Sequence, residues 1–93
     1  MVVGLLTLEI HLPYAHSLKD KRQALRKLKD RLRARFNVAV AELDHQDLWQ
    51  RATVGVVSLS NDSAYLAQLL EAVTAESGKI LGGDLVDTQI EYF

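Results

Sequence analysis

The chain has 93 residues, enough for one domain with one modest core. Its apolar share of 48% and charged share of 25% are those of an ordinary globular domain, and the lack of cysteine excludes disulfides, thiolate catalysis, cysteine–zinc sites and cysteine-ligated iron–sulfur clusters. The formal net charge of −1 conceals a separation: residues 17–36 carry nine basic groups against two acidic, a net of +7, and the other residues carry two against ten, a net of −8.

Val2 to Leu12 reads as the first strand. Leu6, Leu8, Ile10 and Leu12 alternate with Thr7, Glu9 and His11, so the leucine face meets the core. The alternation, with no basic residues ahead of it, makes this a strand and not a signal peptide. No apolar run reaches the about 18 residues that suggest a membrane span, so a cytoplasmic location is expected. Pro13 ends the strand. His11 and His16 read as surface residues, with ligand or proton carrier as the alternative.

Ser17 to Phe36, SLKDKRQALRKLKDRLRARF, reads as a helix of about nineteen residues, roughly 28 Å long. Ser17 is its N-cap, Asp20 takes the return position of a capping box, and Asn37 suits a left-handed C-terminal cap. Leu18, Leu25, Leu28, Leu32 and Phe36, with Ala24, share one face. Arg22, Arg26, Lys29 and Arg33 form a ridge on one flank, with Lys19 near its start; Lys27, Arg31 and Arg35 lie on the other flank. Lys21 falls in the apolar stripe and is expected to snorkel to water. Lys19, Lys21 and Arg22 lie near the helix N-terminus, where the macrodipole disfavours cations by roughly 0.3–1 kcal/mol each. Free amides beside basic side chains suit a phosphate, so Ser17, Lys19, Lys21, Arg22, Arg26, Lys29 and Arg33 are the candidate anion- or nucleic-acid-binding residues. The competing reading is a solvated face built from good helix formers.

Val38 to Leu43 is a short second strand. A polar loop, Asp44-His45-Gln46-Asp47, and then Leu48-Trp49-Gln50 lead into strand three, Arg51 to Ser60, as an antiparallel hairpin. Strand three is apolar in both phases, Val54 and Val56 one way, Val57 and Leu59 the other. It is therefore expected to be central, or covered on its second face by another subunit. Gly55 marks a close approach or a bulge. Asn61, Asp62 or Ser63 caps a second helix with the stripe Leu66, Leu69, Leu70 and Val73, which Gly78 is expected to stop. Leu85 to Phe93 is the last strand, with Val86, Ile90 and Tyr92 on one face. The order is β-α-β-β-α-β. It defines an α+β, ferredoxin-like sandwich of one domain, 1–93: a four-stranded antiparallel sheet, strands one and three central, with two helices on one face.

Known chemistries of this topology are mostly missing. Strands one and three carry no aromatics, against the base-stacking mode of RNA-recognition motifs. Residues 13–18, PYAHSL, contain no glycine, against the phosphate loop of acylphosphatases. There is no Walker loop and no dinucleotide fingerprint, so no cofactor is expected. Glu42, Asp44, His45 and Asp47 offer oxygen and nitrogen donors within six residues, but at the spacing of no tight metal motif. Trp49 reads either as packing at a strand start or, with Asp44 and Asp47, as part of a partner-binding loop. No nucleophile–base pair can be assembled, so the chain is not expected to be an enzyme.

The segments MVVGLLTLEIHLP, HSLKDKR and FNVAVAELDHQDLWQRATVGVV together resemble the YlxP-like family of small bacterial proteins, a domain of unknown function, over essentially the whole chain. The resemblance implies a ferredoxin-like fold and a gene usually placed among those for transcription elongation, translation initiation and ribosome maturation factors. It brings no established activity. Its signal falls on Ser17, Leu18, Lys19, Lys21 and Arg22, and on Glu42, Asp44, Gln46, Asp47 and Trp49. The expectation is a non-enzymatic module acting near RNA or the ribosome through its basic helix, with ribosomal RNA or a ribosomal subunit as partner. The alternatives are a protein-interaction or homodimerisation module using the open sheet face and, behind it, a metal-binding protein or enzyme using the 42–47 loop.

Overall fold

The computed structural model describes residues 1–93. Alternation in the sequence becomes strands β1 (Val2–His11), β2 (Ala39–Asp44), β3 (Arg51–Ser60) and β4 (Leu85–Tyr92); the two apolar stripes at helical spacing become α1 (Leu18–Arg35) and α2 (Ser63–Leu81). The strands form one antiparallel sheet in the order β2-β3-β1-β4, so β1 and β3 are central as their apolar runs require. The β1–β3 register sets Leu6 against Val56, Leu8 against Val54 and Ile10 against Ala52, one continuous face that α1 and α2 cover. Leu25, Leu28 and Leu32 of α1 and Leu66, Leu70 and Val73 of α2 complete the core. Burying each of these leucines contributes about 1.5–3 kcal/mol.

Both helices start as expected. The Ser17 hydroxyl accepts from Asp20 N at 3.1 Å, and the Asp20 carboxylate accepts from His16 N at 3.0 Å, one residue before the position an ideal capping box would serve. Asp62 caps α2, its Oδ1 accepting from Ala64 N and Tyr65 N.

Besides β2, which runs one residue later than the expected 38–43, three features differ from expectation. α1 ends on extended Phe36, and no left-handed Asn37 cap forms. The α2 helix runs through Gly78 to Leu81, because Leu81, four residues beyond Ser77 and eight beyond Val73, extends the buried stripe; Gly82, at φ 57°, is the residue that stops it. A mid-helix glycine costs only about 1 kcal/mol, which the added burial offsets. In β4, a bulge opposite Glu9–Ile10 leaves Val86 unpaired and exposed, while Ile90 and Tyr92 stay on the helix side opposite Leu6 and Gly4.

The second face of the sheet has no cover from this chain. Val3, Leu5, Val57 and Leu59 lie there with Ala39, Ala41 and Leu43; Leu59 is 62% exposed and Leu43 49%. Gly55 is the close approach its sequence position suggests, since a Cβ there would stand 2.7 Å from Leu43 Cδ1. At the far end β1 pairs with the last residues of the chain: Phe93 N donates to Val3 O at 2.8 Å and Val3 N to Phe93 O at 3.3 Å.

Candidate functional site

The two basic flanks of α1 have different fates. On one, Arg35 Nη1 lies 2.6 Å from Glu76 Oε1 and Arg31 Nη1 lies 3.6 Å from Glu76 Oε2. Glu76 sits on α2 with its side chain only 7% exposed, so two of this flank's three cations are held by one carboxylate where the helices meet. The Arg35 guanidinium also lies 5.6 Å above the Phe36 ring.

The other flank stays charged. Arg22, Arg26 and Arg33 are exposed, Lys29 is half-buried, and none of the four takes part in the fold's three ion pairs. With Leu25, Asp30 and Glu42 they line a groove of about 470 Å³ between α1 and edge strand β2. Arg33 Nη2 donates to Val40 O at 3.1 Å, which ties the ridge to that strand and occupies part of its backbone. The spacing of four, three and four puts the cations in one row, and their fields add along it. Lys19 is exposed beside the start of the row.

Lys21 is not part of this surface, nor does it snorkel. It is 1% exposed, and its ammonium turns inward: Nζ donates to Glu42 Oε2 at 2.8 Å, His45 O at 2.7 Å, Gln46 O at 3.3 Å and Arg51 O at 3.4 Å. A buried ammonium is tolerated only when paired and fully hydrogen-bonded, and here both conditions hold. The sequence places Lys21 correctly in the apolar stripe; the carbonyls that draw its head inward belong to a loop more than twenty positions away and leave no local signal. Ser17, likewise, spends its hydroxyl on the helix cap.

The β2–β3 loop is held from both sides. Lys21 grips its backbone, His45 adopts a left-handed φ of 64°, Leu48 N donates to His45 O at 3.0 Å, and Gln50 Nε2 donates to Pro13 O at 3.1 Å and Ala15 O at 3.2 Å. Trp49, 53% exposed, therefore does not pack into the core; it stands on the surface beside Leu48. Asp44 at the end of β2 and Asp47 and Trp49 on the loop are all exposed. The loop's donors do not gather into a metal centre. Glu42 faces Lys21, Asp44 Oδ1 accepts from its neighbour His45 N at 2.7 Å, and no three such side chains converge. His11 and His16 are both exposed.

The fold and this surface define a small ferredoxin-like α+β protein with a charged helix flank. The chain belongs to the family described as Protein of unknown function (DUF503), whose model matches residues 3–90. It is similar to the "Uncharacterized protein YlxP" of Bacillus subtilis (strain 168), 32% identical over 74 residues that make up 80% of each chain. Among solved structures it resembles the de novo designed protein Foldit4, with a TM-score of 0.57 at 13% identity over 99% of this chain and 94% of that one. It also resembles a dimeric ferredoxin-like protein of unknown function from Thermobifida fusca, with a TM-score of 0.51 at 14% identity over 98% and 90%. These likenesses show the fold. No helix is long and apolar enough to cross a membrane.

Proposed function

We propose that the groove between α1 and β2 binds the phosphates of an RNA, and that the protein is a non-enzymatic, RNA- or ribosome-associated module. One observation carries this reading. The same helix has two basic flanks; the fold ties Arg31 and Arg35 of one to a buried glutamate and leaves Arg22, Arg26, Lys29 and Arg33 outside any ion pair, in a groove whose lining carboxylates are Asp30 and the Lys21-paired Glu42. A row of unpaired cations fits a polyanion, and it contacts the backbone without reading sequence.

The test is binding of purified protein to ribosomal RNA and ribosomal subunits across a salt series. Three or four phosphate contacts correspond to a slope of log affinity against log salt of about −2 to −4. Arg22→Glu combined with Arg26→Glu should abolish that slope and leave the circular dichroism spectrum and melting temperature near the parent's, since both side chains point to solvent. Lys27→Glu, on the opposite flank, serves as the control and should bind like the parent. Retained RNA binding in the double variant refutes the reading.

The open sheet face favours a second reading, a homodimer. Leu43, Val57 and Leu59 are exposed on a strip that also holds Val3, Leu5, Ala39 and Ala41, with Glu91 of β4 beside Leu5 at its border, so a second copy offers a matching apolar surface. Sedimentation at high micromolar concentration should show a dimer that Leu59→Glu dissociates; a strictly monomeric parent removes this reading.

A further inference from the structure

We propose that Trp49 is a base-stacking platform at one end of the basic groove, so that the RNA held there is single-stranded. The proposal rests on the phosphate-binding reading of the groove and adds to it the class of nucleic acid.

Four observations lead to it. First, Trp49 is the chain's one tryptophan and is 53% exposed, and with Asp47, Leu48, Gln50 and Arg51 it lines a concavity of about 390 Å³. Second, this exposed ring sits on a loop whose backbone is fixed. The Lys21 ammonium grips His45 O, Gln46 O and Arg51 O, and Gln50 straps the loop to Pro13 and Ala15. A residue in a sparsely populated backbone region, held by a buried charge, is costly in an exposed loop that only connects two strands. The same arrangement is economical if the loop must present its side chains in one geometry. Third, the loop borders the groove. Glu42 lines the groove and bonds the same Nζ that bonds His45 O and Gln46 O, so one ammonium joins the loop backbone to the groove's β2 wall. Fourth, a cationic track beside an exposed aromatic ring is the pairing with which proteins bind unpaired strands: the track follows the phosphates and the ring takes a base. A duplex keeps its bases stacked inside and has none to offer Trp49.

The loop's own carboxylates refine the division of labour. Asp44 and Asp47 repel phosphates from the loop, so the backbone stays on the α1 row and the loop receives a base. Arg51, at the edge of the concavity, supplies the one cation there.

The experiment uses the single tryptophan as its own reporter. The full chain is titrated at low salt with a single-stranded RNA of about twelve nucleotides and, separately, with a duplex of the same length, reading intrinsic fluorescence and the anisotropy of labelled RNA. The single strand should quench Trp49 and bind more tightly than the duplex. Trp49→Leu should weaken single-strand binding by about 5- to 100-fold, leave duplex binding and the salt slope unchanged, and Trp49→Phe should restore most of the loss. Two results overturn the proposal: equal affinity for single strand and duplex with an unquenched Trp49, or a Trp49→Leu variant that binds like the parent. Both leave the groove as a phosphate site. Absence of binding to either RNA at low salt overturns the proposal and the reading of the groove together.

Discussion

Replacing Lys21 with methionine isolates what one buried ammonium does for this fold. Methionine keeps an unbranched apolar stem in the α1 stripe and removes only the charge and its donors. The loss is then the contact to Glu42 Oε2 at 2.8 Å and the donations to the carbonyls of His45, Gln46 and Arg51. Breaking a fully buried pair from one side costs about 3–5 kcal/mol, because the abandoned charge stays in a poor solvent. Here the Lys21 side chain is 1% exposed but Glu42 is 20% exposed, so the carboxylate regains part of its hydration and the expected cost falls to about 2–4 kcal/mol. A domain of this size has roughly 5–15 kcal/mol in total and loses about 4–8 °C of melting temperature per kcal/mol, so Lys21→Met should melt about 8–32 °C below the parent. Urea denaturation and thermal melts by circular dichroism measure this directly. A cycle with Glu42→Gln separates the ion pair from the carbonyl contacts and should return a coupling of about 1–3 kcal/mol. Amides of residues 44–50 should also lose exchange protection. A Lys21→Met protein that melts within about 2 °C of the parent refutes the assignment of Lys21 as the pin of the loop.

Other perturbations follow from the same geometry. Glu76 is buried while Arg31 and Arg35 are half-exposed, so removing both arginines strands a buried carboxylate at about 2–3 kcal/mol, whereas Glu76→Gln, which leaves two solvated cations, should cost under about 1 kcal/mol; equal losses in chemical denaturation contradict this. Gly4→Ala would set a Cβ 2.6 Å from Cδ1 of fully buried Leu70 and should cost about 1–3 kcal/mol, while Gly55→Ala meets half-exposed Leu43, which can swing aside, and should cost less than about 1 kcal/mol by the same assay. The Tyr14 phenol has its pKa raised above 10.0, by desolvation first and then by the Asp84 carboxylate beside it. A raised phenol pKa adds stability that is present below pH 10 and is lost as pH climbs through the folded value. Ultraviolet titration should therefore show one of the three tyrosines ionising late, and Asp84→Asn should bring it part of the way back.

The elements were legible because each is written in one period. The two-residue alternation of β1, the doubly apolar β3 and the leucine stripe of α1 specify a sheet order and a covered face without reference to anything distant. Misreadings occurred where distant groups decide. Gly78 looks like a stop until Leu81 finds a place in the core. Val86 looks like a face residue until the bulge against Glu9 and Ile10 displaces it. The candidate site divides in the same way. Arg22, Arg26, Lys29 and Arg33 fall in one row from spacing alone, but spacing gives the opposite flank the same character, and only Glu76 on another helix distinguishes them. Lys21 illustrates the limit best: one-dimensional periodicity locates its stem, while the destination of its charge depends on carbonyls with no sequence signature.

The pairing of β1 with β4 has a consequence for how the molecule is made. β1 is made before the other three strands, yet it is a central strand, and its neighbour on one side, from Gly4 opposite Tyr92 to Ile10 opposite Leu85, is made after them. Contacts separated by most of the chain length are slow to close, and they dominate this strand. Until synthesis reaches Tyr92, a nascent chain that has already joined β3 to β1 presents a bare, apolar strand edge to its surroundings. The sheet is therefore complete only once β4 is made, and a chain cut before Leu85 should yield an aggregating product and not a smaller stable domain.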